Sequence, residues 1–175
     1  MAATRTSFTD RMLRAAMLNA AVYEEIEADT GATWSAALVV ILGSLAAGLG
    51  SGLRLGPGGF IIVVLAALAA WSLYAWITYF LGTTILKGKD TQADWGEVAR
   101  TLGFANSPRL LLVLSIVPGL GPLVAAILPL WILATTVSAL RAALDMSTVR
   151  AIVLAIVGFV AQAWLTIFLL GLQSG

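Results

Sequence analysis

Few side chains in this sequence belong to the types that perform catalysis. Histidine and cysteine are both absent, which removes the commonest general base, the commonest metal ligand and all thiol chemistry. Asp94 and Glu97 are close enough to share one face of a helix, and paired carboxylates can transfer protons. Because both fall in the main polar loop, a solvated surface is the favoured interpretation. We therefore predict a non-enzyme without catalytic residues, cofactor or metal.

Glycine-rich stretches do not form a nucleotide-binding motif here. Neither Gly48-Leu49-Gly50 nor the run from Gly56 to Gly59 is followed by Lys-Ser or Lys-Thr, which a phosphate-binding loop requires. Their positions, at the end of an apolar stretch and in the turn after it, indicate helix packing and a tight turn. A net charge of +1 gives no electrostatic attraction to nucleic acid, so no nucleic-acid partner is expected.

The overall composition is that of an integral membrane protein. Hydrophobic residues make up 60% and charged residues 11% of the 175 residues, and the mean hydropathy is +0.97. An ordinary soluble domain is about 45–50% apolar and about 25% charged. So few polar residues could not cover the surface of a soluble domain of this size, whereas a bilayer is itself an apolar solvent.

Uncharged stretches long enough to cross a bilayer divide the chain. About 20 helical residues, at a rise of about 1.5 Å each, span about 30 Å of hydrocarbon. We predict an all-α bundle of about five transmembrane helices over residues 32–175, after a cytoplasmic segment over 1–31. The predicted spans are 34–53, 60–86, 103–118, 122–140 and 151–172. No apolar signal region precedes the first span, so that span is expected to direct insertion and to be retained.

The third and fourth spans are separated by a cluster of helix breakers. Pro118, Gly119, Gly121 and Pro122 fall within five residues and predict a tight turn in the uncharged stretch 110–140. Two interpretations fit this stretch. It is either a hairpin of two short, tilted spans or a re-entrant hairpin that does not reach the far side.

Two amphipathic segments are expected outside the spans. Residues 7–29 predict one helix capped by Ser7, lying on the membrane surface or packed on the cytoplasmic ends of the bundle. Its apolar face has helical spacing, although three apolar residues do not fit it: Leu13, Met17 and Leu18. A shorter helix is predicted over 94–105, with its apolar residues available to the interface: Trp95, Val98, Leu102 and Phe104.

The basic residues predict the orientation. With Arg109 counted in the loop after the second span, every Lys and Arg except Arg54 falls on one side of a five-span bundle. The positive-inside rule then places the N-terminus in the cytoplasm and the C-terminus outside, in a bacterial cytoplasmic membrane. This count leaves no ionisable residue at the middle of a span, which argues against an ion-coupled transporter.

Small and polar residues within the spans are candidates for helix packing. Small side chains let two helix backbones approach closely in lipid. In the first span, Ser44, Gly48 and Gly52 are spaced by four residues, with Gly43 and Ala47 beside them. Gln162 is an amide in the last span and is expected to face a neighbouring helix. On the cytoplasmic side, the candidates for docking a partner are Glu24, Glu25, Glu27 and Trp95.

Four runs of sequence resemble a known family. They are Leu18–Asp29, Phe104–Leu111, Ile116–Pro122 and Leu130-Trp131. These runs are similar to the cytoplasmic lead and the third and fourth spans of bacterial Yip-family proteins, which are related to Rab-interacting membrane proteins. The resemblance implies five spans and a cytoplasmic N-terminus, and it implies no active-site residues.

The function expected from these patterns is that of a Yip-type membrane-organising or protein-interaction module. Its expected partners are membrane lipids and other membrane or cytoplasmic proteins. Two alternatives remain open: an accessory subunit of a larger membrane complex, and a small channel or transporter formed by oligomerisation.

Overall fold

The fold is given by a computed structural model that describes residues 7–50, 57–88, 91 and 93–173. These residues form helices and no strand, which confirms the all-α class. The helices are α1 (Phe8–Ala16), α2 (Ala20–Ala28), α3 (Ala32–Gly50), α4 (Pro57–Thr84), α5 (Trp95–Ala105), a 3₁₀ helix (Ser107–Ile116), α6 (Leu120–Ala143) and α7 (Thr148–Gln173).

Three of these helices are long and apolar enough to cross a membrane. They cover Ala32–Gly50, Ile61–Thr84 and Leu120–Ala143, and a shorter apolar helix covers Thr148–Trp164. In the most apolar 18-residue stretch of each long helix, at most 39% of the residues are buried in the protein. Most of these apolar side chains therefore face outward, as expected where lipid rather than water is the solvent.

The N-terminal segment is two helices, so the prediction of one helix over 7–29 is wrong. Ser7 caps α1 as predicted, with its Oγ accepting a hydrogen bond from the Asp10 amide at 3.2 Å. The chain then breaks at Leu18, whose φ is +61°. Asn19 starts α2 by accepting a hydrogen bond from the Val22 amide through Oδ1 at 3.3 Å. Asn is among the best N-cap residues, so this local bond competes with continuing the first helix.

Ion pairs and buried side chains join α1 to α2 as a hairpin. Arg11 bonds Glu25 at 2.9 Å and Asp29 at 2.7 Å. Inside the hairpin, the buried Tyr23 hydroxyl donates to the Ala15 carbonyl at 2.9 Å. The three apolar residues that did not fit the predicted face are exposed: Leu13 (64%), Met17 (77%) and Leu18 (42%). Leu13 and Met17 line a groove beside the 3₁₀ helix and Trp131.

The helix α5 lies inside the bundle and not on its surface. Asp94 and Glu97 begin it as a capping box, in which Asp94 Oδ1 accepts from the Glu97 amide at 2.8 Å and Glu97 Oε2 accepts from the Asp94 amide at 2.7 Å. All residues of 98–105 are buried, against α3, α4, α6 and the N-terminal hairpin. The expectation that Val98, Leu102 and Phe104 are available to the interface is therefore wrong.

A 3₁₀ helix replaces most of the α-helix predicted over 103–118. Its ten residues, at a rise of about 2.0 Å, extend about 20 Å, packed against α3 and α6. The turn that follows is narrower than predicted. Gly119 occupies it with a φ of +89°, but Gly121 and Pro122 belong to the first turn of α6. Proline is tolerated there because the first amides of a helix have no intrahelical partner.

Close contacts define the directions of the helices. A Cβ added to Gly103 would lie 2.6 Å from Ala36 Cβ, and one added to Gly50 would lie 2.0 Å from the Leu112 carbonyl oxygen. The α5 helix and the 3₁₀ helix therefore run in succession alongside α3 and in the same direction. The α7 helix runs opposite to α4, because Gly158 faces Tyr74 and Gln162 bonds Ala70.

Candidate binding site at the centre of the bundle

A single arginine lies level with the middle of the long helices. Arg109 is in the first turn of the 3₁₀ helix, where a Cβ added to Gly43 would lie 3.1 Å from its own Cβ. Gly43 is near the middle of α3, and the missing side chain lets the two backbones approach. The same cavity that Arg109 lines is also lined by residues near the middle of α4, α6 and α7: Ala70, Ile132 and Gln162.

This position corrects the count of charges made from the sequence. Arg109 was assigned to a loop on the cytoplasmic side, and no ionisable residue was expected near the middle of a span. Instead, the buried α5 carries the chain into the bundle before the 3₁₀ helix begins. Arg109 is consequently level with the centre of the bundle and not with its end.

The Arg109 side chain, which is exposed on the protein surface, lines a small cavity with polar walls. Its volume is about 70 Å³, enough for a few water molecules. Helices α3, α4, α5, α6, α7 and the 3₁₀ helix all contribute to its wall. The side chains with polar atoms that line it are Trp71, Tyr74, Asn106, Arg109, Thr136 and Gln162.

Most of the side-chain donors around this cavity form hydrogen bonds with backbone carbonyl groups. Gln162 Nε2 donates to Ala70 O at 3.2 Å, so this amide faces a neighbouring helix. Asn106 Nδ2 donates to Leu102 O at 2.8 Å, and Trp71 Nε1 donates to Ala99 O at 3.0 Å. These bonds tie α4 to α5 and to α7, and they fix the orientations of the lining side chains.

The Arg109 guanidinium differs from these groups because it has no partner in the described part of the chain. Within that part it forms no ion pair and no side-chain hydrogen bond, and no carboxylate lines the cavity. An arginine fork binds carboxylate and phosphate groups through two parallel hydrogen bonds. The site therefore has the chemistry to bind an anion.

An apolar groove opens from this arginine between α6 and α7. Its volume is about 480 Å³. Apart from Arg109, all its walls are apolar: Pro129, Leu130, Ile132, Leu133, Ile156, Phe159 and Val160. Arg109, Ile132 and Phe159 line both the cavity and the groove, so the two spaces are neighbours. Leu130 is 70% and Val160 51% exposed, so the groove opens on the outer surface of the bundle.

The predicted small-residue face of α3 lies partly on the 3₁₀ helix. Gly43 and Ser44 are buried, and the Ser44 hydroxyl donates to Ile41 O at 2.8 Å. Gly48 is half-buried, whereas Gly52 lies outside the described residues. The closest approach of α3 to the 3₁₀ helix is at Gly50, which was not among the predicted packing residues. Gly50 lies two helical turns after Gly43 and therefore on the same face of α3, and this spacing could have predicted the contact.

The predicted docking residues do not form one free surface. Glu24 and Trp95 are exposed, but Glu25 is bound to Arg11 and Arg14. Glu27 is half-buried, and its backbone carbonyl accepts a hydrogen bond from Arg100 Nη2 at 2.6 Å.

The charge of Glu27 is disfavoured by its surroundings. Burial is the main cause that raises the pKa of Glu27 to about 7, with repulsion from Asp145, Glu24 and Glu97 adding to it. Arg100 opposes this shift. Arg100 is only 5% exposed, and its Nε has no hydrogen-bond partner within the described ranges.

Comparison of the chain with protein-family models, with curated proteins and with solved structures finds no match in any of the three. The resemblance to the Yip family stays a prediction. Among the described residues, no group of three acidic, histidine or cysteine side chains is arranged to hold a metal ion.

Proposed function

We propose that this chain is a non-enzymatic integral membrane protein that crosses the bilayer five times and binds an anionic ligand at Arg109. The observation that carries the proposal is an arginine without a partner among the described residues, level with the middle of the long helices. An arginine at the centre of a membrane helix costs about 2.5–3.5 kcal/mol on insertion scales. Such a residue is expected to have a functional partner, and an anion would supply it.

The helix directions support five crossings. Three are α3, α4 and α6, and α7 is the fourth. The α5 helix and the 3₁₀ helix together form the remaining one, because 11 residues at about 1.5 Å and ten at about 2.0 Å extend about 36 Å. This length exceeds the roughly 30 Å of hydrocarbon.

The orientation in this proposal places the N-terminal hairpin in the cytoplasm and the C-terminus outside, in a bacterial cytoplasmic membrane. The hairpin then adjoins the start of α3 and extends along the bundle as far as the middle of α6, where the Trp131 indole donates to Ala16 O at 2.7 Å. The exposed Leu13, Met17 and Leu18 are suited to contact with the lipid interface.

The task that fits this arrangement is to bind and organise a membrane component, in the manner expected of a Yip-type module. Protein partners on the cytoplasmic side remain part of the proposal through Glu24 and Trp95, which are exposed. The ligand site supplies a more specific activity that can be measured on the purified chain.

The test is ligand retention. The chain and its Arg109→Gln variant are purified in mild detergent, and small molecules released from each are identified by mass spectrometry. We expect an anionic compound to accompany the wild-type chain in near-stoichiometric amount and to be lost from Arg109→Gln. Equal retention of every anion by both proteins would refute the proposed function, provided that the variant elutes as the same folded species.

A further inference from the structure

We propose that the ligand of this site is a single-chain fatty carboxylate, with its carboxylate on Arg109 and its acyl chain in the groove between α6 and α7. This inference rests on the proposed function and deepens it, because it names the class of ligand.

The groove matches one acyl chain in size and chemistry. At roughly 30 Å³ for each heavy atom, which is the share of a water molecule in the liquid, a volume of about 480 Å³ accommodates roughly 16 atoms. One chain of ordinary length fits this space, whereas the second chain of a phospholipid would have to lie outside the groove, in the bilayer. Apart from Arg109, all of the side chains that line the groove are apolar.

The polar end matches a carboxylate better than a phosphate monoester. Arg109 is the one cation that lines either space in the described part of the chain. A carboxylate carries a single charge and two acceptor oxygens, which pair with one guanidinium. A phosphate monoester has a charge of about −1.5 to −2 at pH 7. Its excess charge would remain uncompensated in an apolar environment.

Few other donors near Arg109 are free to bind a phosphate. The side-chain nitrogens of Trp71, Asn106 and Gln162 donate to backbone carbonyls. A ligand with more acceptors than a carboxylate would have to break these bonds. Since the groove is open on the outer surface, the ligand can enter sideways from the bilayer.

The experiment uses the full chain in phosphatidylcholine nanodiscs and a palmitate analogue that carries a photoreactive diazirine in its acyl chain. After irradiation, labelled residues are identified by mass spectrometry. We expect saturable labelling of the groove walls, at residues such as Leu130, Ile156 and Val160. An excess of palmitate should compete with this labelling, whereas hexadecanol and phosphatidic acid should not.

Two pairs of variants test the two ends of the ligand. Arg109→Gln should weaken the labelling at least tenfold, because it removes a charge-assisted hydrogen bond, whereas Arg109→Lys should retain part of it. Val160→Trp should block the groove and weaken labelling by a similar factor. Val157→Trp is the matched control, since Val157 lies on the same helix, is 42% exposed and does not line the groove.

The outcomes separate this inference from the proposed function. If phosphatidic acid competes as well as palmitate and Val160→Trp has no effect, an anion still binds Arg109 but the single-chain carboxylate is wrong. If labelling spreads over all lipid-facing helices and ignores Arg109→Gln, the fatty-carboxylate site is wrong. A different anion retained by the wild-type chain and lost from Arg109→Gln would then still support the proposed function.

Discussion

At the scale of single residues, two charges are held where their ionised forms are disfavoured. Arg109 opens on a cavity without a carboxylate among the described residues, and Glu27 is half-buried beside other acidic groups. Neither arrangement stabilises the fold by itself. Residues that cost stability and persist are commonly those that serve function.

For Arg109, we expect Arg109→Gln to preserve or raise the stability of the ligand-free bundle. Removing a cation from an apolar region recovers part of an insertion cost of about 2.5–3.5 kcal/mol. Unfolding in mixed micelles of mild detergent and dodecyl sulfate measures the change. A loss of more than about 1 kcal/mol would mean that Arg109 serves the structure and not a ligand.

For Glu27, we expect a stability that falls as pH rises. The pKa of Glu27 is raised from 4.5 to about 7 in the fold, so the folded chain binds a proton that the unfolded chain has released between these values. Stability is then highest below pH 4.5, declines towards pH 7 and stays low above it. Glu27→Gln should flatten this decline and raise the melting temperature at pH 8.

The comparison for Glu27 is Glu24→Gln, because Glu24 is an exposed carboxylate on the same helix and its charge is a lesser cause of the raised pKa of Glu27. Glu24→Gln should therefore weaken the pH dependence less than Glu27→Gln does. Melting temperatures between pH 4.5 and pH 8 are compared for the three proteins. An unchanged pH dependence in Glu27→Gln would show that Glu27 is charged in the fold at neutral pH.

At the scale of elements, close approach of backbones determines where α5 and the 3₁₀ helix lie. Gly103 meets Ala36 of α3, and Gly50 meets the backbone of Leu112. In lipid these contacts gain dispersion energy and do not depend on a hydrophobic force. Small residues at the right spacing therefore hold α5 and the 3₁₀ helix against α3.

This contact predicts the effect of Gly50→Ala. The added Cβ would lie 2.0 Å from the Leu112 carbonyl oxygen, so α3 and the 3₁₀ helix must separate, at a cost of about 1–3 kcal/mol. Gly58→Ala is the matched control, because nothing lies within 4 Å of its added Cβ. That variant should gain about 0.5–1 kcal/mol from helix propensity. Equal unfolding energies for the two variants would contradict the close approach.

The hairpin of α1 and α2 gives a second prediction at this scale. Arg11→Gln removes the bonds to Glu25 and Asp29, and we expect the free energy of local opening to fall by about 1–2 kcal/mol. Hydrogen exchange of residues 8–16 measures this change. Glu24→Gln should not alter the exchange.

The bond between Arg11 and Asp29 also predicts how the hairpin responds to acid. The hydrogen bond from Arg11 holds the pKa of Asp29 below its ordinary 3.8. The stabilisation that this hydrogen bond gives the hairpin is therefore complete above pH 3.8 and is lost as the pH falls further. In the hydrogen-exchange comparison of residues 8–16, faster exchange in Glu24→Gln than in Arg11→Gln would contradict the role of Arg11.

At the scale of the whole molecule, the helix directions are compatible with the five crossings proposed above. The α3 helix and the composite of α5 and the 3₁₀ helix run one way, and α4 runs opposite to α7. Under that proposal, the odd number of crossings places the two termini on opposite sides.

This arrangement is tested with reporters. A reporter inserted at residue 90 should behave as cytoplasmic, and one fused after Gly175 should be active only if it works outside. A reporter inserted near Pro118 should also be outside, since the turn follows the third crossing. A cytoplasmic C-terminus would exclude five crossings, and a cytoplasmic Pro118 would favour the re-entrant hairpin.

The sequence alone was sufficient for the helical class, the membrane location and most helix positions. Helices were predicted over 60–86 and 151–172, and α4 and α7 cover Pro57–Thr84 and Thr148–Gln173. The reason is that an apolar stretch of about 20 residues in lipid must satisfy its backbone hydrogen bonds internally, and a helix does so. Local helix caps could also be predicted from the sequence, as Ser7 shows. The Asp94–Glu97 pair, in contrast, was interpreted as a solvated face and is a capping box.

Only the tertiary structure decided which polar residues lie inside. Arg100 and Arg109 belong to a segment whose local pattern resembles a surface loop, yet Arg100 is buried and Arg109 is level with the bundle centre. Their depth depends on long-range contacts, such as that of Gly43 with Arg109, which no local pattern encodes. Hydropathy is a property of each segment, whereas the position of a charge depends on how the segments pack against one another.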